Sequence, residues 1–580
     1  MIMDCSWNLI ETDANIELMS SVLGVGKVTA KCLANRGIRT KNAAIGFLSP
    51  AWSRLHDIKV IDDTLVALER IKAALGSEKI VVYGDYDVDG ITSTVILCKL
   101  LRRLGADCEY YMPHRRHEGY GMNIEAVKKI KDMGATLIIA VDNGISAIEE
   151  IRLAKELGIE TIVVDHHEPG FTQYEEGKKD ILPPAVAIID PKLANSKYPF
   201  KECCAALLVF KFAGALCEYL GEPFTEKDEF LVLAAIATLC DIVPLVDENR
   251  IIVKLGLQKL GKNKLVNPGL GSLIALRGYL DKTIDTFTVS FVLGPCLNAT
   301  GRLESASIAV ELLCASSGDV VKRGELADEL LRLNNERKNL TQECVERILR
   351  TMPKELPKVL VLVDLEAHES VAGIVAGRIR ETTGRPTILF TSGDGALKGS
   401  GRSIEKYNIF DALYKNKHLF IRFGGHAMAC GLTMEAQNVA VLSDALNSDC
   451  ELTEEDFLEK IMIDDELSLR DIDLKLSEEL SFLAPFGKNN EEPFFLTRKL
   501  YTESVKVLDE KRTLIFGFSK DGCRLKGITF GKNELYDTRI KEAGVNKSGG
   551  FFMDVVYGIE TNEWNNEKSV QLRIRDFAIP

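Results

Sequence analysis

Short apolar runs alternate with amphipathic helical patterns from residue 79 to residue 167, and this alternation constrains the fold more than any other feature. The runs at 79–83, 136–142 and 161–165 are separated by longer segments, such as 145–158, that repeat with a helical period. Short buried strands between helices are typical of a parallel sheet that helices cover on both faces. We therefore predict an α/β fold built on a parallel sheet.

Acidic and histidine side chains stand at or just after the ends of these runs. In a parallel sheet, ligands gather beyond the carboxyl ends of the strands. The residues concerned are Asp85, Asp87 and Asp89 after the first run, Asp142 at the end of the second, and Asp165, His166 and His167 at the end of the third. We expect these side chains to converge.

The acidic segment DYDVDG, residues 85–90, also matches the start of an EF-hand calcium loop. That loop needs a glutamate at its twelfth position, where this chain has Ile96, and the residues after Gly90 continue as an apolar helical pattern. A solvated acidic turn is a second alternative. It accounts for one acidic cluster but not for the further acid and histidine sites, so a metal site is favoured.

The donor set contains Asp and His without Cys, which favours a hard divalent ion such as Mn²⁺ or Mg²⁺ over a structural zinc. Several carboxylates brought together would repel one another unless cations neutralised them. Two ions at roughly 3.5–4 Å that share one carboxylate would do so. We take Asp142 as that bridging residue.

The whole chain divides into segments of different pattern. We predict an N-terminal helical segment at 1–72 packed on a parallel-sheet domain at 73–315, a connecting helix at 316–354, a smaller α/β domain at 355–455, and a linker with a β-barrel at 456–580. The barrel is an OB-like one, because about five short strand patterns with one irregular internal segment fit that architecture.

Composition bears on the compartment and on partners. The formal net charge of -13 argues mildly against a broad basic surface for nucleic acid, although a carboxylate cluster would itself make the chain acidic. The 14 cysteines show no CxxC spacing, the N-terminus lacks the features of a signal peptide, and no apolar run is long enough to cross a membrane. We expect a cytoplasmic protein with reduced thiols.

Several motifs, in order, carry a resemblance to a known family. GDYDVDG, VDNG, DHH and LCDIVPL resemble the successive motifs of the DHH phosphoesterase superfamily. Further segments resemble one branch of it, the RecJ single-strand-DNA-specific 5′→3′ exonucleases: RGIRT, EGYGMN, GPCLNATGRLE, AHESVAGIVAGRI, KGSGRS, FGGHAMACGL and LAPFGKNNEEPFF. The resemblance runs from about residue 18 to the C-terminus.

The resemblance implies a two-metal exodeoxyribonuclease that releases 5′-mononucleotides in DNA repair and recombination. Its implied metal ligands are Asp87, Asp89, Asp142, His166 and Asp241. Asp85 would bind a metal or orient a ligand, and His167 would contact the scissile phosphate or the leaving group. The implied cofactors are two divalent cations, Mn²⁺ in the first place and Mg²⁺ as the alternative. The parallel-sheet domain becomes the DHH catalytic domain, and the smaller α/β domain becomes the DHHA1 substrate-binding domain.

The resemblance also points to substrate contacts. Glycine-rich turns around Ser400, Arg402 and His426 would expose backbone N–H groups and form an anion site for the 5′-terminal phosphate. Arg115 would contribute from the catalytic domain. Asn298 and Arg302, in the glycine-punctuated loop 294–304, are expected to contact substrate phosphate. For any one basic residue taken alone, a solvated surface charge is the competing interpretation.

Three positions depart from the family pattern. Cys296 stands where the family commonly has Arg, Cys204 where Gly is usual, and Ala367 where Trp is common. None of them is a proposed metal ligand. We interpret them as divergence that tunes activity.

The barrel segment would bind the single strand through basic and aromatic side chains. The aromatic candidates are Phe516, Phe518, Phe530 and Tyr557. Leu514, Phe516 and Phe518 alternate along one strand and share a face, which is more often core than a stacking surface.

Other functions stay open on the sequence alone. Shorter relatives act on short RNA or cyclic dinucleotides, and some act as single-strand-binding scaffolds that have lost their metal ligands. The extra N-terminal and C-terminal segments favour long polymers, and the intact ligand set favours an enzyme. The family resemblance adds a helicase and a single-strand-binding protein as partners, no membrane, and a monomeric state.

Overall fold

The structure is a computed structural model that falls into two compact units. It describes residues 5–115, 117–119, 121–174, 177–393, 395–508, 512–545, 550–565 and 567–580. One unit, here called the central unit, comprises residues 49–338 with 485–490. The other described residues form the flanking unit, and the division falls inside one long helix.

The N-terminal residues of the flanking unit form one strand and three helices: β1 (Cys5–Leu9), α1 (Ile16–Leu23), α2 (Lys27–Asn35) and α3 (Lys41–Leu48). The strand pairs in parallel with a strand at Glu459–Ile463. The carboxylate of Glu479 accepts hydrogen bonds from Gly26 N and Thr29 Oγ1, at 2.7 and 2.9 Å, and so ties the start of α2 to the C-terminal part of the chain. Residues 5–48 therefore belong to the flanking unit together with the C-terminal part of the chain.

The central unit is built on a parallel five-stranded sheet, as predicted. Its first elements are α4 (Thr64–Ala74), β2 (Lys79–Tyr83), α5 (Val88–Arg103), β3 (Asp107–Tyr111), α6 (Ile124–Asp132), β4 (Leu137–Val141), α7 (Ile148–Glu156), β5 (Glu160–Val164), the antiparallel hairpin β6 (Gly170–Tyr174) and β7 (Gly177–Ile181), and β8 (Ala187–Ile189). The strand order is β3-β2-β4-β5-β8. Every residue of β4 is buried, as expected for a strand covered on both faces.

Helices complete the central unit: α8 (Ala205–Leu220), α9 (Lys227–Cys240), α10 (Asp247–Lys262), α11 (Pro268–Leu276), α12 (Thr286–Thr288), a π-helical turn at Val289–Leu293, α13 (Gly294–Leu303), α14 (Ser307–Cys314) and the first part of α15 (Val320–Thr351). The prediction of a loop at 294–304 is wrong, because α13 occupies most of that segment. Its glycines mark close packing instead of turns. A Cβ on Gly301 would lie 2.2 Å from the carbonyl oxygen of Tyr86.

The flanking unit continues with a smaller α/β domain: β9 (Leu360–Val363), α16 (Glu369–Thr383), β10 (Thr387–Ser392), β11 (Leu397–Arg402), α17 (Ile409–Lys415), β12 (Phe420–His426), β13 (Ala429–Met434) and α18 (Val439–Ser448). Its sheet has the order β12-β13-β11-β10-β9, in which β9 and β10 are parallel and the other pairs antiparallel.

The C-terminal elements are β14 (Glu459–Ile463), β15 (Asp465–Glu466), α19 (Leu474–Ser481), β16 (Phe495–Leu508), β17 (Thr513–Lys520), β18 (Cys523–Phe530), α20 (Asn533–Glu542), β19 (Phe551–Trp564) and β20 (Glu567–Ala578). Because β16 pairs with both β17 and β19, five strands close into a barrel. The predicted OB-like barrel is confirmed, and its irregular segment is α20.

A short segment returns from the C-terminal half to the central unit. Leu245 N donates to the carbonyl oxygen of Lys488 at 2.8 Å, and Arg250 Nη1 donates to that of Pro485 at 3.3 Å. The motif LAPFGKNNEEPFF thus packs partly beside LCDIVPL. Among the helices described, none combines the length and the apolar character that crossing a bilayer requires.

Candidate metal centre

The turn between β2 and α5 places three carboxylates at the carboxyl edge of the sheet. Asp87 caps α5, and its Oδ1 accepts from Asp89 N at 3.0 Å and Gly90 N at 3.2 Å. Asp85 is 1% exposed, and its Oδ1 has no hydrogen-bond partner among the described residues. A buried carboxylate oxygen without a donor is costly, and a cation would satisfy it.

Asp89 is oriented by the start of another helix. Its Oδ2 accepts from Ala205 N at 2.7 Å and its Oδ1 from Ala206 N at 2.8 Å, both in the first turn of α8. Helix N-termini stabilise negative charge through their unpaired N–H groups and the helix dipole. The side chain is therefore fixed with both oxygens engaged.

Asp142 directly follows β4 and has a positive φ of 61°. A residue other than glycine in the left-handed region costs free energy, and aspartate tolerates it better than most. Such strain is concentrated at functional sites, where the surrounding structure enforces it.

The two histidines after β5 have different surroundings. Asp165 Oδ1 accepts from His166 N at 2.7 Å, and it lies 2.7 Å from His167 Nδ1. His166 turns its Nε2 the other way, to 3.2 Å from Asp142 Oδ1 and 3.7 Å from Asp89 Oδ2. His166 thus faces the carboxylates, and Asp165 fixes the ring of His167.

The described residues contain three groups whose ligand atoms all lie within 4.8 Å of one another. They are Asp85–Asp87–Asp142, Asp89–His166–Asp241, and Asp142–His166–His167. Asp241 comes from the C-terminal end of α9. The residues predicted from strand ends and from LCDIVPL are therefore brought together. Asp142 belongs to two of the three groups, which is the position that a bridging ligand requires.

Burial and mutual repulsion act together on these carboxylates. Burial raises the pKa of Asp142 well above its usual value, and the neighbouring Asp89, Asp87 and Asp85 raise it further. Burial and Asp87 likewise raise the pKa of Asp89 to about 7, against the opposing effect of its two backbone donors. Burial lowers the pKa of His166 to about 3, so its imidazole is neutral and can act as a ligand.

This donor set fits two divalent cations. It offers carboxylates and neutral imidazole, without a thiolate, in a pocket whose like charges disfavour full ionisation. An ion's positive charge would reverse that effect and hold the carboxylates ionised. The unpartnered oxygen of Asp85 gives the same indication from hydrogen bonding.

The helix α13 supports the β2–α5 turn. Asn298 Oδ1 accepts from Val88 N at 3.1 Å, so this side chain holds the turn that carries Asp87 and Asp89. Arg115 lies over the ring of Tyr86, with its guanidinium carbon 5.0 Å from the ring centroid. Arg302 lowers the pKa of the Tyr86 hydroxyl, which burial chiefly raises to about 12. Both arginines therefore lie beside the same tyrosine.

Two of the departures from the family pattern are buried thiols. Cys204 caps α8 and is 0% exposed, and burial raises its pKa well above the usual value. Cys296 is also 0% exposed, and its Sγ lies 3.3 Å from Asn334 Nδ2. A large charged side chain would not fit either position without rearrangement.

In the smaller α/β domain, Ser400, Arg402 and His426 share one face of the sheet. Ser400 and Arg402 are two residues apart on β11, so their side chains point to the same face. Arg402 on β11 and His426 on β12 both lie opposite Ala429 on the strand between them, β13, and so share that face. Arg402 lies against α16, where a Cβ on Gly373 would be 2.8 Å from its Nη2. The three predicted anion contacts are thus gathered within the flanking unit.

The glycines beside them do not form turns, and that prediction is wrong. KGSGRS lies mostly in β11, whose N–H groups pair with neighbouring strands. A Cβ on Gly399 would lie 2.7 Å from the ring of Phe390, and one on Gly401 would lie 2.4 Å from Cys430 Sγ. Close packing of the core explains these glycines.

Among the aromatic candidates of the barrel, Phe516, Phe518 and Tyr557 are buried and Phe530 is 60% exposed. The core interpretation of the first two is confirmed. Tyr557 is held inside by its hydroxyl, which lies 2.6 Å from Thr497 Oγ1. Phe530 alone of the four presents its ring to solvent.

Asp165 and Asp190 were not assigned functional roles from the sequence. Asp165 accepts four hydrogen bonds. The donors are the backbone N–H groups of Ile145, His166 and His167 and the ring Nδ1 of His167. Asp190 directly follows β8, is 0% exposed, and has a pKa raised to about 8 by burial and by Asp165. Both residues directly follow a strand, and this position in the sequence is the signal by which they could be found.

Comparison with known proteins agrees with this geometry. Three family models match: the DHH family N-terminal domain at residues 79–238, the DHHA1 domain at 356–451 and the RecJ OB domain at 463–576. The chain is 36% identical to the single-stranded-DNA-specific exonuclease RecJ of Bacillus subtilis over 99% of this chain and 71% of that one. It is 33% identical to RecJ of Salmonella typhimurium over 94% of each. The chain belongs to the RecJ family of single-stranded-DNA-specific exonucleases.

Solved RecJ structures have the same fold. The structure of RecJ from Thermus thermophilus in complex with Mn²⁺ matches with a TM-score of 0.81 and 28% identity over 99% of this chain and 79% of that one. The corresponding complex with Mg²⁺ matches with a TM-score of 0.76 and 27% identity, over 99% and 78% of the two chains. The resemblance to RecJ and the predicted combination of DHH, DHHA1 and OB-like domains are confirmed.

Proposed function

We propose that this protein is a metal-dependent exodeoxyribonuclease that digests single-stranded DNA from the 5′ end and releases 5′-mononucleotides. The observation that carries the proposal is the convergence of five aspartates and two histidines at the edge of the DHH sheet, in a chain of the RecJ family. The RecJ exonuclease of Salmonella typhimurium matches this chain over 94% of its own length. A phosphodiesterase for short RNA or cyclic dinucleotides and a non-catalytic scaffold are not favoured.

Asp87, Asp89, Asp142, His166 and Asp241 would hold two divalent cations, with Asp142 shared between them and Asp85 binding or orienting a ligand. Mn²⁺ is the first choice and Mg²⁺ the alternative, since solved RecJ structures contain one or the other. When bound, such ions activate water and neutralise charge on the phosphoryl oxygens.

The chain's own residues position the scissile phosphate. Asp165 binds His167 through Nδ1, so the imidazole presents its other edge, through which His167 would contact the phosphate or the leaving oxygen. Asn298 accepts from Val88 N and so supports the Asp87–Asp89 turn, and it would also contact substrate phosphate. Arg302 and Arg115, both beside Tyr86, would bind substrate phosphate.

The 5′-terminal phosphate would bind in the DHHA1 domain. Ser400, Arg402 and His426 put a hydroxyl, a guanidinium and an imidazole on one face of its sheet. The proposed domains are an N-terminal segment at 1–72, the DHH domain at 73–315, a connecting helix at 316–354, the DHHA1 domain at 355–455, and a linker with the OB-like domain at 456–580. Phe530 is the barrel's candidate for contact with the strand, because its ring is exposed.

We also propose the setting in which the enzyme acts. An exonuclease restricted to single strands needs duplexes to be opened, which calls for a helicase, and it meets strands covered by a single-strand-binding protein. We place it in the cytoplasm, since all fourteen cysteines are free thiols and DNA is its substrate. We also propose that it acts as a monomer. Digestion of a duplex only when a helicase is added would support this setting. Analytical ultracentrifugation would test the monomeric state.

A digestion experiment tests the function. The protein with Mn²⁺ is given 5′-phosphorylated single-stranded DNA, the same sequence as a blunt duplex, a short RNA and a cyclic dinucleotide. We expect mononucleotides from the single strand and little product from the others. Preference for the RNA or the cyclic dinucleotide would overturn the proposal.

A single substitution tests the site. Asp142→Asn keeps a residue that tolerates positive φ but removes the bridging charge, so hydrolysis should fall by at least about 100-fold. Binding of the strand in a fluorescence anisotropy measurement should change little. Asp132→Asn, on the exposed last turn of α6, is the matched control and should retain full activity. Undiminished hydrolysis by Asp142→Asn would refute the bridging role.

A further inference from the structure

Two exposed phenylalanines stack on each other in the central unit. The ring centroids of Phe287 and Phe291 are 4.9 Å apart with an angle of 30° between the planes. The residues are 61% and 65% exposed. Apolar rings of this size are normally buried, and a cluster of them at the surface marks a binding site.

These rings lie on the helical run that borders the metal centre. Further along that run, a Cβ on Gly294 would be 2.4 Å from Cys240 Sγ, next to Asp241. Asn298 binds Val88 N, and Gly301 packs on the backbone of Tyr86. Residues spaced by four and three lie on one side of a helix, so this side faces the segments that carry the proposed metal ligands.

The phenylalanines lie earlier in the same helical run, before Gly294. Phe291 comes three residues before Gly294, and Phe287 four residues before Phe291, across the π-helical turn at Val289–Leu293. Turns of this kind are frequent at functional sites. The start of the run is held by Asp285, whose Oδ1 accepts from Thr288 N at 2.8 Å and Thr288 Oγ1 at 2.7 Å. The pair is therefore presented by an ordered element.

We propose that Phe287 and Phe291 form a stacking platform for bases of the single-stranded DNA substrate, next to the metal centre. This inference rests on the proposed function. A base lies one sugar away from its phosphate, so a strand whose phosphate lies at cations held by Asp87 and Asp241 would bring bases to the neighbouring turns. Every base offers an aromatic face, which makes stacking independent of sequence and suits an enzyme that digests any strand.

Paired bases are already stacked within a duplex, so the platform also favours single strands. Ile242, which follows Asp241, is 66% exposed with a positive φ of 57° and adds an apolar side chain at the same edge. A protein partner is the other occupant that such an apolar surface could take, and the experiment below separates the two.

The test uses three double variants of the full chain: Phe287→Ala/Phe291→Ala, Phe287→Leu/Phe291→Leu and Phe287→Trp/Phe291→Trp. With a 5′-phosphorylated oligonucleotide and Mn²⁺, we expect KM to rise about tenfold in the alanine and leucine pairs while kcat changes by less than about twofold. The tryptophan pair should keep a KM at or below that of the wild type. A leucine pair that behaves as wild type would overturn the proposal, since apolar bulk would then suffice.

A strand with abasic sites at successive positions gives an independent measurement. Abasic sites over the platform should raise the wild-type KM by the same factor as the alanine pair, and combining variant and abasic strand should give no further increase. Additive effects would overturn the stacking contact. The control is Tyr219→Leu, an aromatic residue 38% exposed at the far end of α8, about 20 Å along that helix from Ala205.

The two proposals fail in different ways. If the wild type and Tyr219→Leu do not digest single strands, the proposed function is wrong. If both digest them and the alanine pair has an unchanged KM, the platform alone is wrong.

Discussion

Asp165 shows how one buried carboxylate can organise the turn that carries two histidines. Its four hydrogen bonds join the N–H groups of Ile145, His166 and His167 and the ring of His167. Burial would raise its pKa, but the hydrogen bond and the charge of His167 prevail and lower it to about 2. The residue therefore stays ionised and acts through its neighbours.

Replacing this carboxylate should impair turnover more than binding. In Asp165→Asn, the new amide group faces an N–H donor, so one hydrogen bond is lost and the ring of His167 is less firmly held. Loss of such supporting contacts typically costs about 10–100-fold in activity. We expect kcat to fall by that factor with KM nearly unchanged, measured by steady-state digestion of a labelled strand. An unchanged kcat would show that Asp165 does not position His167 for catalysis.

Cys296 illustrates a residue whose surroundings exclude the family's usual arginine. The thiol is buried, and Arg277, Lys338 and Arg337 act on it electrostatically, although burial still raises its pKa. An arginine here would add a buried charge among three cations.

Restoring the family residue should therefore destabilise this protein. Cys296→Arg should lower the free energy of unfolding by about 2 kcal/mol or more, because it overpacks the core and buries a charge. Urea denaturation measures this effect, with Cys523→Arg, at a less buried position on β18, as the control. A Cys296→Arg variant as stable as the wild type and more active would contradict this explanation.

At the scale of elements, the ends of three helices determine the geometry of the metal centre. The N-terminus of α5 carries Asp87, the N-terminus of α8 binds Asp89, and the C-terminus of α9 carries Asp241. The helix α13 then packs on the turn before α5. A small change in α13 should thus reach the catalytic carboxylates.

Gly301→Ala tests this coupling. The added Cβ would lie 2.2 Å from the Tyr86 carbonyl oxygen, so the backbone between Asp85 and Asp87 has to move. A displacement near 1 Å can cost about 100-fold in rate, and we expect kcat to fall by at least about tenfold. Gly261→Ala in α10, where a Cβ meets open space, is the matched control and should stabilise the fold by roughly 0.5–1 kcal/mol. Equal activity of both variants would contradict the coupling.

The sequence alone was sufficient to predict the strands that precede Asp85, Asp142 and His166, because short apolar runs followed by acidic residues and alternating with helical patterns are typical of a parallel sheet. The glycine-rich segments at 294–304 and 398–403 were misread as loops or turns. Their glycines serve contacts with Tyr86, Phe390 and Cys430 that are distant in sequence. Local patterns carry no information about such partners.

Other features depend on tertiary structure in the same way. Ala205 and Ala206 belong to no motif that would indicate a role at the site. Only the fold brings their backbone N–H groups to Asp89. Residues 1–72 are predicted to be a helical segment, whereas residues 5–9 form the strand β1, which pairs with β14 in the flanking unit. Pairing between strands more than 400 residues apart is not encoded in either strand alone.

At the scale of the whole molecule, the chain separates a metal-binding unit from a unit with the DHHA1 and OB-like domains. The chain passes from one unit to the other after residue 48, within α15 after residue 338, and on either side of 485–490. The carboxylates that serve catalysis are a cost to stability in the central unit, since burial and like charge both disfavour their ionised forms.

Metal binding should therefore reverse the effect of a charge-removing substitution on stability. In EDTA, Asp142→Asn should melt above the wild type because it relieves repulsion. With Mn²⁺ at about 100 times its Kd, the wild type should gain about 2.7 kcal/mol for each site and melt above the variant. Scanning calorimetry measures both, with Asp132→Asn as the control. The same Mn²⁺ shift in Asp142→Asn and in the wild type would contradict the assignment.

The most direct test of the central claim is anomalous scattering from a crystal of this protein grown with Mn²⁺. We expect two manganese peaks about 3.5–4 Å apart, both within ligand distance of Asp142 and together contacting Asp87, Asp89, His166 and Asp241. Manganese found only at surface carboxylates, with none among these residues, would contradict it.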